Sequence, residues 1–226
     1  MELFSDAWVI AVLQIIAIDI VLGGDNAIVI ALACRNLPKH QKRAGILWGT
    51  AGAIILRVIL VFFATSLMEI PGLRLIGGVL LIYIGVKLLT EADSHSLDGK
   101  IDQSSNLLTA IRTIIIADFV MSLDNALAIT AAAKGNIGLV VLGLVLSVPI
   151  IIGGSALILR LMERFPLIIT AGAGLLGWLG GDLIANDKLF TNYNFAPTVA
   201  DPTIAATVGA VFVIAVGEFL ARRQKK

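Results

Sequence analysis

Apolar residues run along this chain in blocks long enough to cross a bilayer, separated by short polar stretches. A helix that spans ~30 Å of hydrocarbon needs about 20 mostly apolar residues. By that measure spans are predicted near 8–33, 44–67, 73–90, 107–133, 137–160, 166–185 and 204–221. Backbone groups inside a membrane must be satisfied within their own segment, so these runs are expected to be helices. The least marked boundary, between the second and third spans, rests on the short turn Glu69-Ile70-Pro71-Gly72. The fold class that follows is all-α, a polytopic membrane protein of about seven transmembrane helices.

The pattern repeats. Asp19, Asp25 and Asn26 in the first span recur 99 residues later as Asp118, Asp124 and Asn125 in the fourth. Leu67-Met68-Glu69-Ile70-Pro71 is echoed by Leu161-Met162-Glu163-Arg164-Phe165-Pro166, and Gly77-Gly78 with the helix after it by the helix from Gly172 to Gly180. The unit is three helices used twice, repeat 1 over 8–90 and repeat 2 over 107–185. Three is odd, so the second copy is expected upside down, the inverted-repeat plan of many secondary transporters, whose sites lie near the midplane between repeats. A linker at 91–106, a loop at 186–203 and an extra helix at 204–221 complete a single transmembrane domain, 1–226.

Basic residues orient the spans. Arg35, Lys39, Lys42 and Arg43 follow the first span, Lys87 and Lys100 flank the linker, Arg160 and Arg164 follow the fifth span, and Arg222, Arg223, Lys225 and Lys226 end the chain. The opposite side has Arg74, Lys134 and Lys188. This bias puts the N-terminus outside and the C-terminus in the cytosol. Met1 to Asp6 lacks the basic start of a signal peptide, so the first apolar segment is expected to stay as a span.

Composition strengthens the membrane reading: 58% of the 226 residues are hydrophobic and 15% charged, with a mean hydropathy of +0.96. A net charge of +1 gives no reason to expect a nucleic-acid partner. The single cysteine, Cys34, cannot form an internal disulfide. The polar linker, with His95 among its acids, matches no EF-hand loop and reads as a solvated connector. Phe190, Tyr193, Phe195, Pro197 and Pro202 in the loop 186–203 read as interfacial anchors, or else as a lid.

Ionisable groups at membrane depth are costly and usually face a bundle interior or an ion pathway. On an ideal helix Asp19 and Asn26 share a stripe roughly 10 Å long, as do Asp118 and Asn125, while Asp25 and Asp124 lie about 100° around from their Asn neighbours. Gly23-Gly24 permits local unwinding that would redirect these groups and free carbonyl oxygens. Ser122-Leu123 in the second copy predicts a milder break. A further Gly180-Gly181-Asp182 in the sixth span brings an acid that either joins the site or sits at the interface.

All of these donors are oxygens, and both histidines, His40 and His95, fall in loops. Oxygen donors suit Mg²⁺, Ca²⁺ or Mn²⁺ rather than a thiolate-bound metal. Several carboxylates around one ion cannot all stay charged when it leaves, so proton exchange is a natural consequence. Arg57, mid-span, needs a partner: a structural ion pair with one of these acids, or a gating role. The plain alternative for the whole set is interhelical hydrogen-bonding glue. No nucleophile–base pair or cofactor motif is present, which argues against an enzyme.

At Gly23-Gly24-Asp25-Asn26-Ala27 and Ser122-Leu123-Asp124-Asn125-Ala126, each with an acid six residues before its Asp, and at Gly180-Gly181-Asp182, the chain resembles the TerC family, in its short YjbE-type branch, within the LysE-like transporter superfamily. The resemblance covers nearly the whole chain. It implies a multi-pass protein of the bacterial cytoplasmic (inner) membrane that exports divalent metal, chiefly Mn²⁺, as transported substrate, with no organic cofactor. Carried over by residue, it implies a metal site of Asp19, Asp25, Asn26, Asp118, Asp124 and Asn125, joined by Asp182 if that acid faces inward. Expected partners are the lipid bilayer, the divalent ion and protons as counter-ion; an oligomer is compatible with this reading. Two other readings stand beside it: an exporter of small organic cations or amino acids, and a non-transporting scaffold for stress or tellurium resistance.

Overall fold

The computed structural model describes residues 6–91, 103–133, 136–189 and 201–224, with the side chains of residues 6, 7, 22, 103–106, 124 and 224 left aside. Residues 92–102 of the expected linker, with His95, lie outside the described residues, as do Lys134 and the aromatic residues Phe190, Tyr193 and Phe195 with Pro197, while the last residues of that linker, from Gln103, already belong to a helix. Among the described residues the chain forms α-helices and no strand: α1 (Asp6–Leu22), α2 (Gly24–Cys34), α3 (Lys39–Met68), α4 (Leu73–Thr90), α5 (Gln103–Ala132), α6 (Ile137–Arg164), α7 (Leu167–Ala185) and α8 (Pro202–Gln224). Five of them, α3, α4, α6, α7 and α8, are each long and apolar enough to cross a membrane. The pair α1–α2 and the two halves of α5 pass the same test as bent spans, which brings the count to seven. The protein is an all-α polytopic membrane protein.

Local sequence explains where the helices stop. Gly72 takes a left-handed φ of 85°, open to glycine at little cost, and turns the chain from α3 into α4 within four residues. Asn136 caps α6, its side-chain oxygen accepting the Leu139 N–H at 3.3 Å. Gly23 leaves helical geometry (φ −109°, ψ 10°), and α1 and α2 meet there at 48°.

The second bend corrects an expectation. α5 runs without a break in its helix, so the interruption is milder than at Gly23, yet its halves Leu107–Leu123 and Asn125–Ala132 diverge by 62°, more than the first pair. The glycine pair accompanies a break in the helix, whereas Ser122-Leu123 accompanies a larger bend with the helix unbroken.

α3 lies against α5, and α1 with α2 lies against α6; α4 packs on α7, and α8 closes over both. The α4–α7 and α7–α8 seams are backbone-close. A Cβ on Gly78 would strike the Gly180 carbonyl, one on Gly180 would strike Gly78, and Gly177 and Gly209 stand in the same relation. Small residues let membrane helices approach where apolar lipid offers no hydrophobic drive to association. Side chains such as Ile55, Phe62, Phe63, Val79, Val211 and Phe219 remain exposed, as faces turned to hydrocarbon should be.

Polar ties hold α4 at both ends. At its N-terminus, Asp187 accepts the backbone N–H groups of Gly72 at 2.9 Å and Leu75 at 3.0 Å. At its C-terminus, Arg35 donates to the Leu88 carbonyl at 2.7 Å and Asn36 to the Glu91 carbonyl at 3.1 Å. An anion at the start and a cation at the end both complement the helix dipole.

Candidate functional site

The two bends bring the repeated motifs together. Around them the polar residues separate into two groups, a buried charged cluster and a cavity.

The cluster is built on Arg57, from the middle of α3 and only 2% exposed. Its Nη1 donates to Asp19 of α1 and its Nη2 to Asp118 of α5. Its Nε donates to the Ser122 hydroxyl at 2.9 Å, and that hydroxyl donates to Asp118 at 3.1 Å. Ser147 of α6 donates to the second oxygen of Asp19. Arg57 thus pairs with two acids, where the sequence suggested one. A planar guanidinium with several N–H donors can serve two carboxylates at once. Ser122 and Ser147 were not anticipated; a lone serine in an apolar run carries no signal of the partner it will meet.

The cavity, of about 280 Å³, is lined by Val21, Asp25, Met121, Asn125, Leu179, Asp182 and Leu183. It joins the first, fourth and sixth spans. Asp25 Oδ1 is buried with no hydrogen-bond partner among the described residues. Asp182 is steadied by Asn186, whose amide donates to its carboxylate at 3.2 Å and its carbonyl at 3.0 Å. Asp182 of the sixth span is one of the residues that line this cavity.

Asn26 sits behind the break, 3% exposed, with both carboxamide atoms unpartnered among the described residues. The Asp124 side chain lies outside the described residues. Of the seven proposed ligands, then, Asp25, Asn125 and Asp182 share the cavity, Asp19 and Asp118 share Arg57, and Asn26 is buried beside the bend. Among the described residues, no three His, Cys, Asp or Glu side chains converge as a closed metal cage. A cavity with two carboxylates and a carboxamide suits a partly hydrated ion that keeps some of its own water, as hard cations such as Mg²⁺ do.

Comparison with known proteins decides the family. The family model described as "Integral membrane protein TerC family" matches residues 4–226. The chain belongs to the TerC family. It is 46% identical to the membrane protein YjbE of Bacillus subtilis (strain 168) over 181 residues, 80% of this chain and 82% of that one. It is 25% identical to the membrane protein YkoY of the same organism, over 79% of this chain and 60% of that one. The TerC-family chain is also 27% identical to the inner membrane protein YgdQ of Escherichia coli (strain K12), over 79% and 81%. No solved structure matches it.

Proposed function

We propose that this TerC-family protein exports a divalent cation, Mn²⁺ in the first place, across the bacterial cytoplasmic membrane through the cavity at the two bends. The observation that carries this reading is the cavity lining: Asp25, Asn125 and Asp182 present oxygen donors to a space of about 280 Å³ inside an otherwise apolar bundle. At roughly 30 Å³ per water, that space holds an ion with part of its hydration shell. Hard cations are bound through such carboxylate and carbonyl oxygens.

The charge favours a cation over a zwitterion. No cationic side chain lines the cavity among the described residues. An amino acid entering here would leave its carboxylate without a counter-charge in a low dielectric. Proton return through the same acids fits the reading, because carboxylates vacated by a divalent ion gain from taking up protons.

Packing supports two inverted repeats as the moving parts. Exchanging spans one to three with four to six turns the α3–α5 contact into the α6–α1/α2 contact, and maps α4–α7 onto itself. The lining straddles the two bends, with Val21 and Asn125 on one side and Asp25 and Met121 on the other.

The test is Mn²⁺ flux into proteoliposomes holding the purified chain, with Ca²⁺ and Mg²⁺ as competitors and a pH-sensitive dye inside. Mn²⁺ movement opposed by protons, lost in Asp25→Asn, is expected. Absence of flux for all three ions in folded protein would overturn the reading in favour of an organic substrate or a scaffold.

A further inference from the structure

The cavity leaves Asp19, Arg57 and Asp118 unexplained. One cation between two carboxylates, in a cluster at most 5% exposed at each of the three residues, leaves a net negative charge inside the bundle. Such a charge is costly in the absence of a compensating partner. The cluster and the cavity share two helices: α1 carries Asp19 and, two residues on, the cavity-lining Val21, and α5 carries Asp118 and, three residues on, the cavity-lining Met121. Asn26 adds an independent observation. Its Nδ2 lies over Gly23, 3.0 Å from where a Cβ would stand, and Gly23 in turn abuts the Asp19 carbonyl. A buried carboxamide with neither atom partnered among the described residues is unfavourable unless something meets it.

The geometry points to Arg57 as a tethered cation, whose guanidinium occupies the seat between Asp19 and Asp118 that the transported divalent ion takes in passing. The inference rests on the reading of the cavity as a cation site and specifies what stands next on the path. A divalent ion matches the two acids charge for charge, which one guanidinium does not. To admit it, Arg57 must let go of α1 and α5, and with that the bridge between the two bent spans opens. When the ion leaves, the guanidinium returns and spares the membrane interior two bare carboxylates. Ion passage and helix rearrangement become one event, because a ligand shifts a conformational equilibrium only through its different affinity for the two states. Arg57 is in this sense a positioning residue, with Ser122 and Ser147 holding its seat.

The experiment is equilibrium binding of Mn²⁺, the metal alone, to the full chain in lipid nanodiscs, read as ions per chain, beside flux in proteoliposomes. Arg57→Gln is expected to bind one more Mn²⁺ per chain than the unsubstituted protein, and to lose that gain when Asp19→Asn and Asp118→Asn are added. A folded Arg57→Gln with unchanged stoichiometry overturns the proposal. Should Arg57→Gln not fold, Asp118→Asn decides, since Arg57 keeps Asp19 there. Its Mn²⁺ binding is expected to be unchanged while flux falls by about tenfold or more, the scale of one charge-assisted contact. Unchanged flux, or binding lost in step with flux, overturns the proposal. The first measurement is a difference between variants. A wild-type chain that binds no Mn²⁺ would therefore sink the proposed function, while the gain in Arg57→Gln would still be read.

Discussion

Asp19 and Asp118, 99 residues apart in the chain, both accept hydrogen bonds from the same guanidinium, that of Arg57. Each is the first acid of its copy of the repeated motif, so Arg57 on α3 ties together two helices, α1 and α5, that also touch each other directly.

The three members of that bridge should not weigh equally. Removing Arg57 strands two buried carboxylates, whereas removing one acid leaves the guanidinium a partner. We expect Arg57→Gln, without divalent cations, to lower unfolding free energy by about 3–5 kcal/mol, and Asp118→Asn by about 1–3 kcal/mol. Denaturation in detergent with and without Mn²⁺ checks this, and Mn²⁺ should recover more stability in Arg57→Gln than in the unsubstituted chain.

Asp187 gives a pH prediction. Burial opposes its charge, but the N–H groups of Leu189, Leu75, Gly72 and Arg74 outweigh it and hold the carboxyl below its ordinary value. A depressed value in the folded state means that the stabilisation is complete above the unfolded value of about 3.9 and is lost as pH falls through the folded one. Asp187→Ala should cost about 1–2 kcal/mol at neutral pH, the range of a lost helix cap. It should also flatten the acid limb of the stability curve, measured by thermal unfolding from neutral pH downwards.

The glycine seams allow no side chain. Gly78→Val and Gly180→Leu each drive atoms into the facing backbone, and overpacking of this kind costs typically about 1–3 kcal/mol or more. Lower yield and a lower thermal midpoint are expected, with Gly153→Ala as the control, because a Cβ at Gly153 meets nothing within 4 Å.

In the cavity, Asp182→Asn keeps shape and removes charge. Mn²⁺ affinity is expected to fall about 10- to 100-fold, as for loss of one charge-assisted contact of roughly 1.4–3 kcal/mol, with stability little changed. Isothermal titration in nanodiscs reads both the affinity and the number of sites.

The apolar blocks determined the spans, because a bilayer imposes one length and one hydrogen-bonding solution on any chain that crosses it. Predicted 73–90 and 166–185 return as Leu73–Thr90 and Leu167–Ala185. The motif copies and the glycine pair also showed where the first span would break. What no local pattern holds is partnership across helices. Whether Asp19 meets an ion or Arg57, whether Asp182 lines the cavity, and which helix end Asp187 caps are set by how helices register against one another, through seams such as Gly78–Gly180. Asp187 and the Gly72 N–H are 115 residues apart, and only the folded bundle brings them to one place. The sequence alone determined which residues had to be hidden from lipid; tertiary packing decided which of them share a counter-ion and which are left facing the cavity.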